Sequence, residues 1–92
     1  MPQRPISSGH AMNYMVIETF APGKRDLVYE RFREKGRMLP EGLFYINSWV
    51  EAEGDRCFQL METANPELFR VWTSAWEGLV TFEIVPLEDA DD

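Results

Sequence analysis

Two strand-like runs, Leu43 to Glu51 and Arg56 to Glu62, are separated only by Ala52-Glu53-Gly54-Asp55, and this constrains the fold more than any other feature of the chain. Both runs are rich in β-branched and aromatic residues, and a short polar break containing glycine predicts an antiparallel hairpin. The segments on either side of it have helical periodicity. From Asp26 onward, Leu27, Val28 and Phe32 fall on one side of a helix, and Lys35-Gly36 supplies a cationic last turn and a left-handed stop. After the hairpin, Asn65 suits an N-cap, Pro66 has no amide partner to lose there, and Glu67 favours the positive end of the helix dipole. Leu68, Trp72, Ala75, Trp76 and Leu79 then recur at helical spacing.

Two further strands close the pattern. Tyr14 to Phe20 is a β-branched and aromatic run ended by Ala21-Pro22-Gly23, and Val80 to Leu87 carries Pro86 late, as an edge strand tolerates. The order is β-α-β-β-α-β, the split βαβ arrangement, an α+β fold with a four-stranded antiparallel sheet. The domain is expected over residues 12–87, with 1–11 a polar, Pro- and Ser-rich disordered extension and 88–92 an acidic tail.

A helix pair covers one face of such a sheet. Strict alternation gives Phe44, Ile46, Val50, Phe58, Leu60, Phe82 and Ile84 as one set, apolar enough to be assigned to the helices. The opposite set, Tyr45, Asn47, Trp49, Cys57, Gln59, Met61, Thr81, Glu83 and Val85, is mixed in polarity but contains two large aromatics and a methionine. Leaving Trp49, Tyr45 and Met61 in water forfeits on the order of 1.5 to 3 kcal/mol each. A chain this short buries only roughly 60 to 65% of its unfolded surface in its own core, so a second copy is the simplest cover. Tyr45, Asn47, Trp49, Gln59 and Met61 are therefore the dimer-interface candidates.

The net charge is −7, but Glu88, Asp89, Asp91 and Asp92 crowd the last five residues. The rest of the chain is mildly acidic, which argues against a nucleic-acid surface. The third strand also lacks the Lys/Arg-Gly-aromatic-Gly-Phe signature of the RNA-recognition fold, reading Arg56-Cys-Phe-Gln-Leu-Met-Glu instead. No apolar run approaches a membrane span. With one cysteine and a start that lacks the apolar core of a secretory signal, a cytoplasmic protein is expected.

The stretches Met15-Val-Ile-Glu-Thr-Phe, Tyr29-Glu-Arg-Phe-Arg-Glu-Lys-Gly-Arg-Met-Leu-Pro-Glu-Gly, Ser48-Trp-Val and Arg56-Cys-Phe-Gln-Leu-Met-Glu-Thr resemble an uncharacterised bacterial family of domains of unknown function. The resemblance covers about residues 13–87, including the second-helix tryptophans and Val85-Pro86. That family belongs with the dimeric α/β barrels, so the resemblance implies two ferredoxin-like subunits placed sheet against sheet, with small cavities between each sheet and its helices. Relatives in that superfamily include cofactor-free monooxygenases, haem-degrading enzymes and proteins with no known chemistry.

Candidate chemistry is sparse. Cys57 has Arg56 beside it, but successive strand residues point to opposite faces and the single histidine, His10, lies in the leading segment. A buried, small, apolar cysteine is the expected role. One histidine also excludes a histidine-based serine triad, a His-rich metal site and histidine-dependent haem chemistry, so no metal or cofactor is expected. Glu51, Glu53 and Asp55 are far from a calcium-loop pattern and read as a polar hairpin tip. Glu18, Glu62 and Glu83 sit inside or at the end of strands; Glu18 and Glu83 on neighbouring strands would form an acid-base pair, or else each faces solvent or an arginine. Asn47 and Gln59 would hydrogen-bond each other or orient a ligand carbonyl. Trp72 and Trp76, with Phe44, Phe58 and Glu18, are the ligand-pocket candidates, against plain core packing. Six of the nine basic residues fall between Lys24 and Arg37, predicting a solvated helix face laced with ion pairs.

The residues thus favour a homodimer binding a small apolar or aromatic ligand without metal or cofactor. The alternatives are a cofactor-free monooxygenase-like or isomerase-like enzyme using Asn47, Gln59, Tyr45 or Trp49 to polarise its substrate, and a structural or protein-interaction module contacting partners through the acidic tail and the basic helix.

Overall fold

In the computed structural model, which describes residues 11–89, the elements run β1 (Met12–Phe20), α1 (Arg25–Lys35), β2 (Leu43–Val50), β3 (Arg56–Thr63), α2 (Leu68–Ser74) and β4 (Val80–Leu87). The sheet order is β2-β3-β1-β4 and every pairing is antiparallel, which is the ferredoxin-like α+β arrangement. Most of the expected 1–11 extension and the end of the acidic tail lie outside the described residues. No helix among the described residues is long and apolar enough to cross a membrane.

Local chemistry explains the boundaries. α1 ends where Gly36 takes φ of 67° and returns its N–H to the Phe32 carbonyl, a conformation a side chain would strain. Asn65 Oδ1 accepts the Glu67 N–H at 3.1 Å, and Asn65 N–H is held by Thr63 Oγ1 at 3.1 Å, so the entry to α2 is tied to the end of β3. The regular helix stops at Ser74 rather than running to Leu79. Trp76 and Leu79 remain buried because successive turns, Leu79 N–H to Trp76 O at 3.1 Å among them, continue the coil toward the sheet. Phe69, which falls outside the stripe of Leu68 and Trp72, is also core, edge-on to Tyr14 with ring centroids 4.9 Å apart.

The face assignment needs correction. Across the sheet, Tyr45, Met61, Tyr14 and Pro86 form one row, and Val50, Cys57, Glu18 and Phe82 another. These rows lie under the helices, as the burial of Tyr14, Glu18 and Met61 and the contact of Trp72 with Phe82 at 5.4 Å show. Phe82, Ile84 and Val50 therefore face the helices, but Phe44, Phe58 and Leu60 do not, and Ile46 is the unpaired residue where the β2 register shifts. Tyr45, Cys57, Gln59 and Met61 take their place on the inner face.

Two causes combine. A β-bulge between Tyr45 and Asn47 shifts the phase of β2, so that Leu43 and Tyr45 point inward before it and Ser48 and Val50 after it. On β3, the inward set of Cys57, Gln59, Met61 and Thr63 is more polar than the outward set containing Phe58 and Leu60, reversing the usual contrast. The outer face also carries large apolar side chains: Trp49, Phe58 and Ile17 share a row that ends on Glu83, Leu60, Met15 and Val85 the next one beside Asn47, and Trp49 is 50% exposed.

Candidate functional site

The polar residues on the inner face converge. Glu18 on β1 is paired in register with Cys57 on β3, and Gln59 is its diagonal neighbour, so alternation alone aims all three at the helices. Above them stand Val28, Tyr29 and Phe32 from α1, Arg37 from the segment after α1, and Trp72 and Trp76 from α2 and the turn behind it. Together with Phe20, Ser48 and Val50 they enclose a cavity of about 150 Å³. Phe32 and Val50, 39% and 51% exposed, mark its mouth.

A chain of hydrogen bonds runs along the wall. The Gln59 amide N–H donates to Glu18 Oε2, and Gln59 Oε1 accepts from Arg37 Nε at 3.4 Å. Because a guanidinium can only donate, the amide must turn its oxygen to Arg37 and its N–H to Glu18. Arg37 is itself immobilised. Its carbonyl accepts the indole N–H groups of Trp72 and Trp76 at 2.8 and 3.2 Å, and its guanidinium lies 3.6 Å from the Tyr45 ring centre and 5.0 Å from that of Phe32.

Burial pushes the Glu18 carboxyl up to about 7, against the opposing pull of Arg37 and the Gln59 hydrogen bond, so it exchanges a proton near neutrality. Burial, with the Glu18 carboxylate beside it, pushes the Cys57 thiol up to about 11 despite Arg37. A thiol held protonated at neutral pH is a poor nucleophile.

Of the residues singled out in the sequence, Glu18, Trp72 and Trp76 line the cavity, and Gln59 joins them there. Phe44 and Phe58 stand on the outer face, away from it. Tyr45 supports Arg37 from the inner face, and Met61 is fully buried in the core, whereas Asn47 and Trp49 remain on the open outer face. Asn47 is consequently not a partner of Gln59; its Oδ1 accepts the Ser48 N–H at 2.8 Å. Glu18 and Glu83 do not meet either, because Glu83 pairs with Ile17 and points to the opposite side.

Arg37 is the residue that sequence reading missed. By composition it belongs to the basic run of the first helix, yet it follows the helix-stopping Gly36 and precedes the apolar Met38-Leu39-Pro40, which sets it apart from that helix. The basic run serves other ends than helical ion pairs: Arg25 donates to Gly54 O at 3.1 Å and Arg31 to Ala75 O at 3.0 Å. The strand-end pair is Arg56 with Glu51 at 2.8 Å, and it lowers the Glu51 carboxyl below its ordinary range.

No curated protein and no solved structure is significantly similar to the chain. Residues 12–92, which include the acidic end, match the family described as a domain of unknown function, DUF3303, and the chain belongs to that family.

Proposed function

We propose that the domain is a homodimer that binds one ring-sized, partly apolar molecule between its sheet and helices. The observation that carries this reading is the placement of Glu18, Gln59 and Arg37 in the wall of a cavity otherwise lined, apart from Ser48 and Cys57, by aromatic and aliphatic side chains. A small number of fixed polar groups in an apolar hollow is the usual make-up of a ligand site. Its volume of about 150 Å³ is of the size that admits a single benzene ring in an engineered apolar cavity. The apolar outer rows around Trp49 and Phe58 support a second subunit placed sheet to sheet, and the lone free thiol of Cys57 suits the reducing cytoplasm.

Titration with benzene and substituted benzenes, read by tryptophan fluorescence and by crystals soaked in the same compounds, tests the binding reading. Saturable quenching with density beneath Trp72 and Trp76 is expected. No binding of any ring compound, with side chains of the native protein filling the space, would sink it.

A second reading, an isomerase-like or cofactor-free monooxygenase-like enzyme, is favoured by one specific feature: a carboxyl that changes protonation near neutral pH inside the cavity is suited to general acid-base work. Screening activated aromatic and lactone compounds would test it, since turnover must fall by about 100-fold or more in Glu18→Gln if that carboxyl moves the proton.

A further inference from the structure

The wall of the cavity carries one cation and one carboxyl that do not meet. No ion pair joins Arg37 to Glu18 among the described residues; the Gln59 amide stands between them and occupies Nε of the one and Oε2 of the other. Glu18 Oε1 makes no hydrogen bond among the described residues, and neither do the two terminal nitrogens of Arg37. The guanidinium is nevertheless held against the Tyr45 ring, and the Arg37 backbone carbonyl that anchors the side chain accepts both indoles. A fixed donor fork and a free carboxyl oxygen facing a ring-sized hollow form a complementary pair of hooks for one polar substituent.

Resting on the binding reading above, we propose that the cavity selects a weakly acidic ring compound, a phenol or an enol, whose anionic oxygen is held by Arg37 while its proton passes to Glu18. The step balances without a further reactant. The ligand O–H bond breaks, an O–H bond forms on Glu18 Oε1, and the negative charge moves from the carboxylate to the ligand oxygen beside the guanidinium. The total charge of the site is the same before and after. Tyr29 and Cys57 are the other titratable groups in the lining, and burial holds the Cys57 thiol protonated. An ammonium ligand would meet Arg37 as a like charge, and a hydrocarbon would leave both hooks unused.

The test compares 4-nitrophenol, benzene and benzylammonium on the native protein, with binding read by tryptophan fluorescence and the ionisation of nitrophenol by its visible absorbance. Nitrophenol is expected to bind about tenfold more tightly than benzene and to gain phenolate absorbance on binding near pH 7, where part of the Glu18 carboxyl is still ionised and able to take the proton. Arg37→Gln should remove both the preference and the gain in phenolate absorbance. Glu18→Gln, which keeps the shape of the site, should retain the preference for the anion but lose proton uptake by the protein, so that the displaced proton appears in solution. Equal affinity for benzene and nitrophenol, a bound nitrophenol that gains no phenolate absorbance, or tighter binding of benzylammonium would each overturn the proposal and leave ring binding standing. Failure of all three probes to bind would overturn both.

Discussion

Gln59 donates its amide N–H to the Glu18 carboxyl across the β1–β3 pair, linking two residues 41 positions apart in sequence. Removing that donor while keeping the bulk, as in Gln59→Leu, takes away an interaction that favours the ionised carboxylate. The Glu18 carboxyl should then titrate above its present value of about 7, as carbon NMR of the side-chain carboxyl would show. A downward shift would mean that water, rather than Gln59, solvates the acid.

The same carboxyl couples folding to pH. It is held at about 7 in the folded protein against an ordinary value of 4.5, so the folded state binds this proton more tightly than the unfolded chain. Its contribution is complete below about 4.5, declines as pH rises through about 7 and is constant above. Across that window the native protein should lose about 3 kcal/mol of stability relative to Glu18→Gln, measured as the difference between urea unfolding curves of the two proteins at several pH values. A pH-independent difference would refute it.

The two indoles that share the Arg37 carbonyl should be energetically coupled. Trp72→Phe is expected to cost about 2 kcal/mol and Trp76→Phe about 1 kcal/mol, from the lost hydrogen bond and the lost volume. Either variant leaves one indole on the carbonyl. The double variant leaves none, so its cost in urea unfolding should exceed the sum of the two single costs.

Trp49 provides the test of the dimer. Trp49→Glu puts a charge beside Phe58 on the outer face and should give a monomer in sedimentation velocity, with the far-ultraviolet dichroism of the native protein. Val71, 57% exposed on α2, is the control: Val71→Glu should remain a dimer. A native protein that sediments as a monomer would remove the homodimer from the proposal.

The chain by itself determined the order and type of its elements, because those depend on local chemistry. The Ala52–Asp55 break sets the hairpin, Gly36 stops α1, Asn65 and Pro66 start α2, and Pro86 sits in β4, which the sheet order leaves at an edge. A second sheet face of mixed polarity carrying large apolar side chains was also legible, with Asn47, Trp49, Thr81, Glu83 and Val85 among its members, but Tyr45, Cys57, Gln59 and Met61 belong to the other face. Alternation is a local rule only while the ladder is regular, and the bulge between Tyr45 and Asn47 breaks it inside β2. On β3, alternation held but polarity misled, because the inner face bears the polar residues of a cavity and the outer face bears Phe58 and Leu60. Glu18, Trp72 and Trp76 could be singled out by type and spacing. The roles of Gln59 and Arg37 could not, since each depends on contacts between segments far apart in the chain, and only the folded sheet and the indoles above it bring those segments together.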